Sequence, residues 1–545
     1  MTMLDAANPF HAGELQAQAR VGVTDVADWA AGFIRPFMPD QHRAFFAQLP
    51  FLVLAGADAE GRHWVTLLDG PDGFVRSPDA KTLTLDTTPD PQDPLADALT
   101  NGTEIGMLGI ELASRRRNRL SGTFRASGTG YAIDIRQSFG NCPQYIHERT
   151  WRRTPSGDPA PASRTTALTD AQIARIHAAD TLFLGTGHTG HGDHASNGFD
   201  ASHRGGEPGF VQVTDPTHLR LPDYAGNNFF NTIGNLLENP SIGLVFVDFE
   251  TGGLLHLSGR ASIDWDATDS HDSNALRMID ITIDAVVDRP AALTLRWTQD
   301  DADLRDLVIF DKVAETEDIS SFYLAAADCT PLAPFEAGQH LPVELDIPGQ
   351  PGETRRSYSL SGAPDSDTYR LSIKREGKGL ASRFLHDELH IGDHIKARRP
   401  SGDFVVPCSN CPLVLVSAGV GLTPMLSALH AAASDGSERP VWYVHGARNG
   451  ASHALKSEVE ALIADRTNLT THIRYSRPDA SDKIGTDYHA KGRVTAQSLL
   501  DLNAGPEAHY MLCGPAKFLA DIRNGLEAAG VPPRHIHFEI FGPTG

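Results

Sequence analysis

The sequence predicts a multidomain chain, mostly β followed by α/β: two small β-barrel repeats, a third antiparallel β-barrel and an open parallel α/β domain. Three observations carry this. The chain has 545 residues, too many for one core. Blocks of its first half recur at a near-constant offset, each rich in short β-runs with Gly, Pro and Asp turns. From residue 412 the pattern becomes strand–helix alternation, the mark of an open parallel sheet.

The repeat comes first. Gly73-Phe74-Val75 recurs as Gly209-Phe210-Val211, 136 residues on. "IGMLGIE" at 105–111 matches "IGLVFVD" at 242–248, and "LSG" at 120–122 matches "LSG" at 257–259, both 137 residues on. The copies span 20–150 and 165–295, joined by the polar Pro/Ser stretch "RRTPSGDPAPASRTTALTD", which leads into a helix near 169–179. Short strands with turns return over 303–407 and give the third barrel. The last domain, 411–545, reads as strand 412–418, helix from 423, strand 440–447, helix 453–464, strand 469–476, strand 509–513 and helix 515–529, with Gly530 at the last helix's end.

Composition narrows the function classes. The formal net charge is −22, which argues against nucleic-acid or anionic-membrane partners. Five cysteines in this length form no disulfide framework and fit a reducing cytoplasm. The opening "MTMLDAANPFHAGELQAQAR" has an early acid and no apolar core, so it does not read as a signal peptide. No run of about 18 apolar residues occurs.

Four motifs in the second half point to chemistry. "RRSYSLSGAP" (355–364) alternates as a half-buried strand, with Arg356 and Tyr358 on one face. "LSIKREGKGLASRFLHDEL" (371–389) is a strand, a glycine turn and a helix start at Ser382, which makes either a phosphate cradle or a plain hairpin. "VSAGVGLTPMLSAL" (416–429) runs from strand to helix. There Gly419 and Gly421 allow close approach of a pyrophosphate, Thr423 is an N-cap candidate and Pro424 a first helical residue; a tight βα turn is the plain alternative. "YMLCGPAKFLADI" (510–522) sets Cys513 at the carboxyl edge of the sheet, where such folds bind ligands, or simply buries it.

In that order the four motifs resemble the ferredoxin-NADP reductase superfamily, most closely the reductase part of flavohaemoglobins, over about 304–545. The resemblance implies a flavin-binding β-barrel followed by an NAD(P)-binding α/β domain. It implies FAD held by Arg356, Ser357, Tyr358, Ser359, Lys374, Gly379, Ala381, Ser382 and Phe541, and NADH or NADPH held by Gly419, Gly421, Thr423, Pro424, Cys513, Gly514 and Pro515. Ser359, Cys513, Glu539 and Phe541 would flank the hydride path. "HGARNGASHALKSEVEAL" (445–462) is similar to NADH-preferring relatives, while Arg448 and Arg474 are candidates to meet a 2′-phosphate.

The second repeat holds Ser202-His203-Arg204-Gly205 and Gly226-Asn227-Asn228. These resemble the FMN-dependent branch of the pyridoxamine 5′-phosphate oxidase-like split barrels. That implies two split β-barrel repeats, with FMN held by Ser202, Arg204, Gly226, Asn227 and Asn228; turn chemistry alone would also explain the glycines and asparagines. Such barrels pair as dimers around flavin, so two copies in one chain imply an internal pseudo-dimer with one working site, or a homodimer through these barrels. In the first copy "SRRRNRLSG" (114–122) either reaches a phosphate or forms a solvated strand edge.

The expected function is an NAD(P)H-dependent flavoprotein oxidoreductase, with electrons passing from FAD to a split-barrel flavin or an external small-molecule or protein acceptor. Two rivals are a haem in the split barrel, with His203 or His256 as ligand, and a split-barrel half that only binds or docks. His188, His191 and His194, three apart, invite a metal, but they lie in a glycine-rich loop without a supporting carboxylate or cysteine pattern. Cys408 and Cys411 form a lone CxxC without the second pair zinc would want.

Overall fold

The computed structural model describes residues 8–540 apart from 24–25, 31–32, 128–129, 142–143, 156–159, 189–193, 273, 300–303, 351–352, 378, 408–409 and 465. The chain divides into two compact units, Met1–Asp300 and Asp301–Gly545.

Unit 1 opens with helices α1 (Ala12–Arg20), α2 (Val26–Ala30) and α3 (Asp40–Ala47). Strands β1 (Phe51–Ala57), β2 (His63–Asp69), β3 (Val75–Asp79), β4 (Thr82–Leu85), β5 (Glu104–Glu111), β6 (Arg116–Ser127) and β7 (Gly130–Asn141) follow. They form one antiparallel sheet in the order β2-β1-β5-β6-β7-β4-β3. After β8 (Thr150–Arg153) and β9 (Ser163–Thr165) comes α4 (Asp170–Ala178), capped by Thr169 where the sequence places a helix. The second copy is β10 (Thr181–His188), β11 (Gly198–Gly205), β12 (Gln212–Asp215), β13 (His218–Asp223), helix α5 (Asn231–Glu238), β14 (Ser241–Val247), β15 (Leu254–Asp264) and β16 (Arg277–Arg289), before β17 (Leu295–Thr298). Its path, β11-β10-β14-β15-β16-β13-β12, repeats the first strand for strand.

Each recurring block has a structural reason. Gly73 and Gly209 sit at φ +78° and +90°, a turn that favours glycine. The "LSG" blocks are matched β-bulges: the ladder slips between Ser121 and Gly122, and between Ser258 and Gly259. The "IG" glycines bring the copies together. A Cβ on Gly106 would meet the Phe199 carbonyl carbon and oxygen at 2.6 Å, and one on Gly243 would meet Trp64 Cα at 2.7 Å. Because Phe199 lies in β11 and Trp64 in β2, the contact is reciprocal, as across a two-fold axis. Phe51, Val53, Val65 and Leu108 of one copy share a dry core with Phe183, Ala201, Val245 and Leu254 of the other. Burial of each such side chain contributes about 1.5–3 kcal/mol.

Unit 2 begins with β18 (Arg305–Ala314), β19 (Ile319–Ala326), β20 (His340–Leu345), β21 (Thr354–Ser359), β22 (Tyr369–Lys374), helix α6 (Leu380–Asp387) and β23 (His394–Ala397). The sheet order is β21-β20-β23-β18-β19-β22, and an antiparallel bridge from Leu360 to Leu371 brings its two ends together as a barrel. Then come β24 (Leu413–Ala418), α7 (Leu422–Ser434), β25 (Val441–Ala447), α8 (Lys456–Ile463), β26 (Leu469–Tyr475), β27 (Ala490–Lys491), α9 (Ala496–Leu500), β28 (His509–Gly514), α10 (Ala516–Ala528) and β29 (Ile536–Ile540). All pairs are parallel, in the order β27-β26-β25-β24-β28-β29. Arg370 of the barrel pairs with Glu458 of α8 at 2.7 Å and ties the two parts of this unit.

Candidate active site

The parallel sheet sets two loops side by side. β24 ends before Gly419 and β28 ends at Gly514, and these neighbouring strands flank the point where the direction of connection reverses. Gly419 sits at φ +58° with open space where a side chain would project. Gly421 has the opposite surroundings: a Cβ there would meet Cys513 O at 2.3 Å and Gly514 N at 2.8 Å. Helix α7 starts at Leu422 with Gly421 as its N-cap, so the expectation that Thr423 caps it is corrected. A 3-10 turn over Gly419–Gly421 starts the coil early, and the Thr423 hydroxyl donates to Val420 O instead. Pro424 therefore stands third in the helix, still in the first turn where a missing N–H costs nothing. The N–H groups of that turn favour an anion at the crevice. Pro515 caps α10 across from it.

The barrel supplies the facing wall. Arg356 and Tyr358 share one face of β21, with Ser357 and Ser359 on the other. Burial pushes the Tyr358 phenol up to about 12, so it stays neutral. Arg356 donates to Arg355 O at 2.8 Å, and among the described residues no carboxylate pairs with it. Gly379 is the N-cap of α6 and has no side chain to satisfy the helix. The Ser382 hydroxyl braces that loop, accepting from Glu376 N at 3.1 Å and donating to Gly379 O, while Ala381 is buried beneath. Lys374 is turned aside and pairs with Glu376 at 2.9 Å.

The two walls meet at three residues. The β28–β29 register pairs Cys513 with Glu539, and the Ser359 hydroxyl lies close enough to the Glu539 carboxyl to favour its charged form. Burial raises Glu539 to about 7 against the opposing pull of Ser359. Its Oε2 is buried with no partner among the described residues. The Cys513 thiol is fully buried and pushed up by that burial and by Glu539, so it is no thiolate at neutral pH. Phe541 lies outside the described residues.

An oxidoreductase FAD-binding domain matches residues 306–406, and an oxidoreductase NAD-binding domain matches 415–524. Both matches lie in the C-terminal half of the chain. The flavohemoprotein of Deinococcus radiodurans is 38% identical over 242 residues, covering 44% of this chain and 60% of that protein. That of Bacillus subtilis is 39% identical over 240 residues, covering 44% and 59%. The flavohem-like FAD/NAD-binding domain of nitric oxide dioxygenase from Vibrio cholerae is 32% identical, covering 44% of this chain and 99% of that one, with a TM-score of 0.40. The chain thus spans about 60% of the length of the curated relatives it matches.

This reductase pair uses FAD and NAD(P)H, and its residues fit both. The unpaired Arg356 and the uncapped α6 suit FAD phosphates; open Gly419 and close-packed Gly421 suit a nucleotide pyrophosphate. Glu539 gives a pH signature. Its folded value lies above the ordinary 4.5, so it is neutral below about pH 7 and a buried anion above. If hydride passes beside Glu539, a buried anion there would oppose its arrival. Flavin reduction by NAD(P)H is therefore expected to slow as pH rises through about 7, roughly tenfold for ~1.4 kcal/mol. Glu539→Gln is expected to flatten that limb, as read by stopped-flow absorbance across pH.

A second opening in the nucleotide domain, about 420 Å³, is lined by Arg448, Ser476, Arg477, Gly492 and Arg493. It sits at the ends of β25, β26 and β27, two strand spacings (about 10 Å) from the Gly419 loop. Arg448 lines it. Arg474 does not: its Nε and Nη2 donate to the carbonyls of Arg493 and Lys491. Arg477 and Arg493 went unremarked in the sequence because neither stands in a motif.

Unit 1 holds a pocket between its two copies. The first copy contributes Arg117, Arg119, Asn141 and Tyr145; the second contributes His203, Arg204, Gly226, Asn227, Asn228, Asn231 and Arg277. Arg204 is paired with Asp223, which also takes Arg277 Nε at 2.6 Å, while Arg119 pairs with Asp200 at 3.0 Å. Arg117, Arg119, Arg204 and Arg277 thus bring four guanidiniums to the pocket, with Asp223 against Arg204 and Arg277 and Asp200 against Arg119. Arg204 Nε and His203 Nε2 are buried without partners among the described residues. Tyr145, Asn228 and Phe230, all lining the pocket, sit at φ +63°, +59° and +59°, the kind of strain that gathers at functional sites. Ser202 lies behind the wall, its hydroxyl donating to Asp200 and facing Thr232. The arginine run resolves by strand alternation: Arg117 and Arg119 enter the pocket, while Arg116 lies over Phe45.

His256, 137 residues after Arg119, is fully buried with Nδ1 against Val65 O. The histidine run serves hydrogen bonds: His188 meets Asn235 and His194 meets Ser196, while His191 and Cys408 lie outside the described residues.

Proposed function

We propose that the chain is an NAD(P)H:acceptor flavin oxidoreductase whose electrons leave FAD for a second flavin, FMN, held between two split-barrel copies. The inter-repeat pocket carries this reading. Its four arginines suit a phosphate anion, and the buried Arg204 Nε and His203 Nε2, without partners among the described residues, suit a ligand rich in acceptors. The stacked Tyr145–Tyr224 pair, with centroids 5.1 Å apart, offers an aromatic wall. When bound, FAD takes hydride from nicotinamide and releases electrons onward. The residues position: Gly419 and Gly421 admit the nucleotide backbone, Arg356 and α6 hold phosphate, and Glu539 is buried beside Ser359.

The three-arginine opening favours NADPH over NADH. Arg448, Arg477 and Arg493 present positive charge at the ends of β25, β26 and β27, on the same edge of the sheet as the pyrophosphate loop. Arg477→Ala combined with Arg493→Ala is expected to raise KM for NADPH by roughly 30-fold, about 2 kcal/mol, and to change KM for NADH by less than about threefold. Steady-state kinetics with both nucleotides checks this. Equal losses for the two would overturn the 2′-phosphate assignment.

A further inference from the structure

We propose that Glu14, carried on the N-terminal helix α1, is a positioning residue that fixes the wall of the inter-repeat pocket and sets its affinity for a phosphate-bearing ligand. The inference rests on the reading of that pocket as a flavin phosphate site.

Helix α1 meets α5 backbone to backbone. A Cβ on Gly13 would meet Gly234 O at 2.2 Å, and one on Gly234 would meet Glu14 N at 2.5 Å. That approach delivers the Glu14 side chain to the first turn of α5. Asn231 Nδ2 donates to Glu14 Oε1 at 2.5 Å, and His11 N donates to Oε2 at 2.9 Å. Asn231 Oδ1 in turn accepts from Arg119 Nη1 at 3.3 Å, and Asp200 holds that guanidinium at 3.0 Å. A single chain of hydrogen bonds therefore runs Glu14–Asn231–Arg119–Asp200, and Asn231 and Arg119 line the pocket. The same segment anchors the neighbouring loop. Gln18 Nε2 donates to Phe229 O, and Phe10 packs on the Phe229 ring at 5.5 Å, between the strained Asn228 and Phe230.

Charge makes this link conditional. The Glu14 side chain is 3% exposed, and burial raises it to about 8. Around it stand His11 on its own helix, His188 of β10, Glu238 of α5, Asp200 of β11, Arg119 of β6 and, farther off, His194. Burial lowers His11 to about 3 and lowers His188, so at neutral pH neither supplies a cation; Arg119 alone attracts, while Asp200 repels. The folded value lies above the ordinary one, so the proton stays on at pH 7 and leaves through about pH 8. The resulting anion sits on the Asn231–Arg119 chain and weakens the attraction of the pocket arginines for an anion. Affinity for a phosphate anion should then fall as pH rises through 8.

The test uses the full chain with FAD retained and FMN dialysed away, titrated with FMN and with riboflavin by fluorescence quenching from about pH 7 to about pH 9. The wild type is expected to lose about tenfold in FMN affinity over that range, and riboflavin, lacking the phosphate, to show no such loss. Glu14→Gln keeps the amide contact; it is expected to bind FMN like the wild type at pH 7 and to stay flat to pH 9. Glu14→Ala frees Asn231 and weakens FMN at every pH. A Glu14→Gln slope equal to the wild type's would overturn the inference while leaving the pocket reading intact. Absence of FMN binding by the wild type at any pH would overturn the pocket reading, and the inference with it. Thermal melts without ligand separate the two failures: from pH 7 to pH 9 the wild type's Tm should fall more steeply than that of Glu14→Gln, since Glu539 contributes equally to both.

Discussion

Arg356→Ala is expected to cost about 100-fold in FAD affinity and, with it, nearly all NAD(P)H oxidation. The arginine stands on β21 beside Tyr358, with no carboxylate partner among the described residues, so its fork is open to phosphate. Two charge-assisted hydrogen bonds at about 1.5 kcal/mol each give ~3 kcal/mol, close to two decades in Kd. The fold should survive, because Arg356 carries no ion pair among the described residues that the barrel needs. Its loss should show as FAD released on gel filtration, with the barrel core of Leu341, Val343 and Leu371 unaltered. A variant that kept full FAD with an unchanged spectrum would remove Arg356 from the site.

Gly421→Ala should have the other large effect, on the nucleotide. The three atoms nearest the added Cβ are all backbone, namely Cys513 O at 2.3 Å, Cys513 C at 2.6 Å and Gly514 N at 2.8 Å. None can rotate away, so β28 and its loop must move. The expected cost is about 1–3 kcal/mol of stability and a rise of at least about tenfold in KM for NADPH, since about 1 Å at the crevice is enough to spoil alignment. Gly419→Ala is the contrast. It strains φ +58° but meets open space, so its melting temperature should fall less than that of Gly421→Ala. Thermal melts and steady-state kinetics on both variants check the pair. Equal effects would show that close packing at Gly421 is not what shapes the crevice.

Much of this was legible along the chain, because it rests on local chemistry. The strand–helix rhythm from Leu413 to Ala528 follows the apolar runs and glycine turns, and the sheet brings Gly419, Gly421, Cys513 and Gly514 together at its reversal point. The repeat was legible as an offset; its causes, a bulge at Gly122 and Gly259 and a reciprocal approach at Gly106 and Gly243, needed the paired strands. Cap assignment failed at Thr423 because a 3-10 turn moved the helix start to Gly421. Arg474 looked like a phosphate ligand, but its side chain turns to two carbonyls, while Arg477 and Arg493 enter the opening. Glu14 was invisible for a plainer reason: its partner Asn231 lies 217 residues away.

The most direct test is a count of FAD and FMN released per chain from purified wild type and from Arg356→Ala. The account predicts one FAD and one FMN in the wild type, and FMN alone in the variant. One FAD with no FMN in the wild type, under conditions where added FMN also fails to bind, would contradict the second flavin site between the repeats.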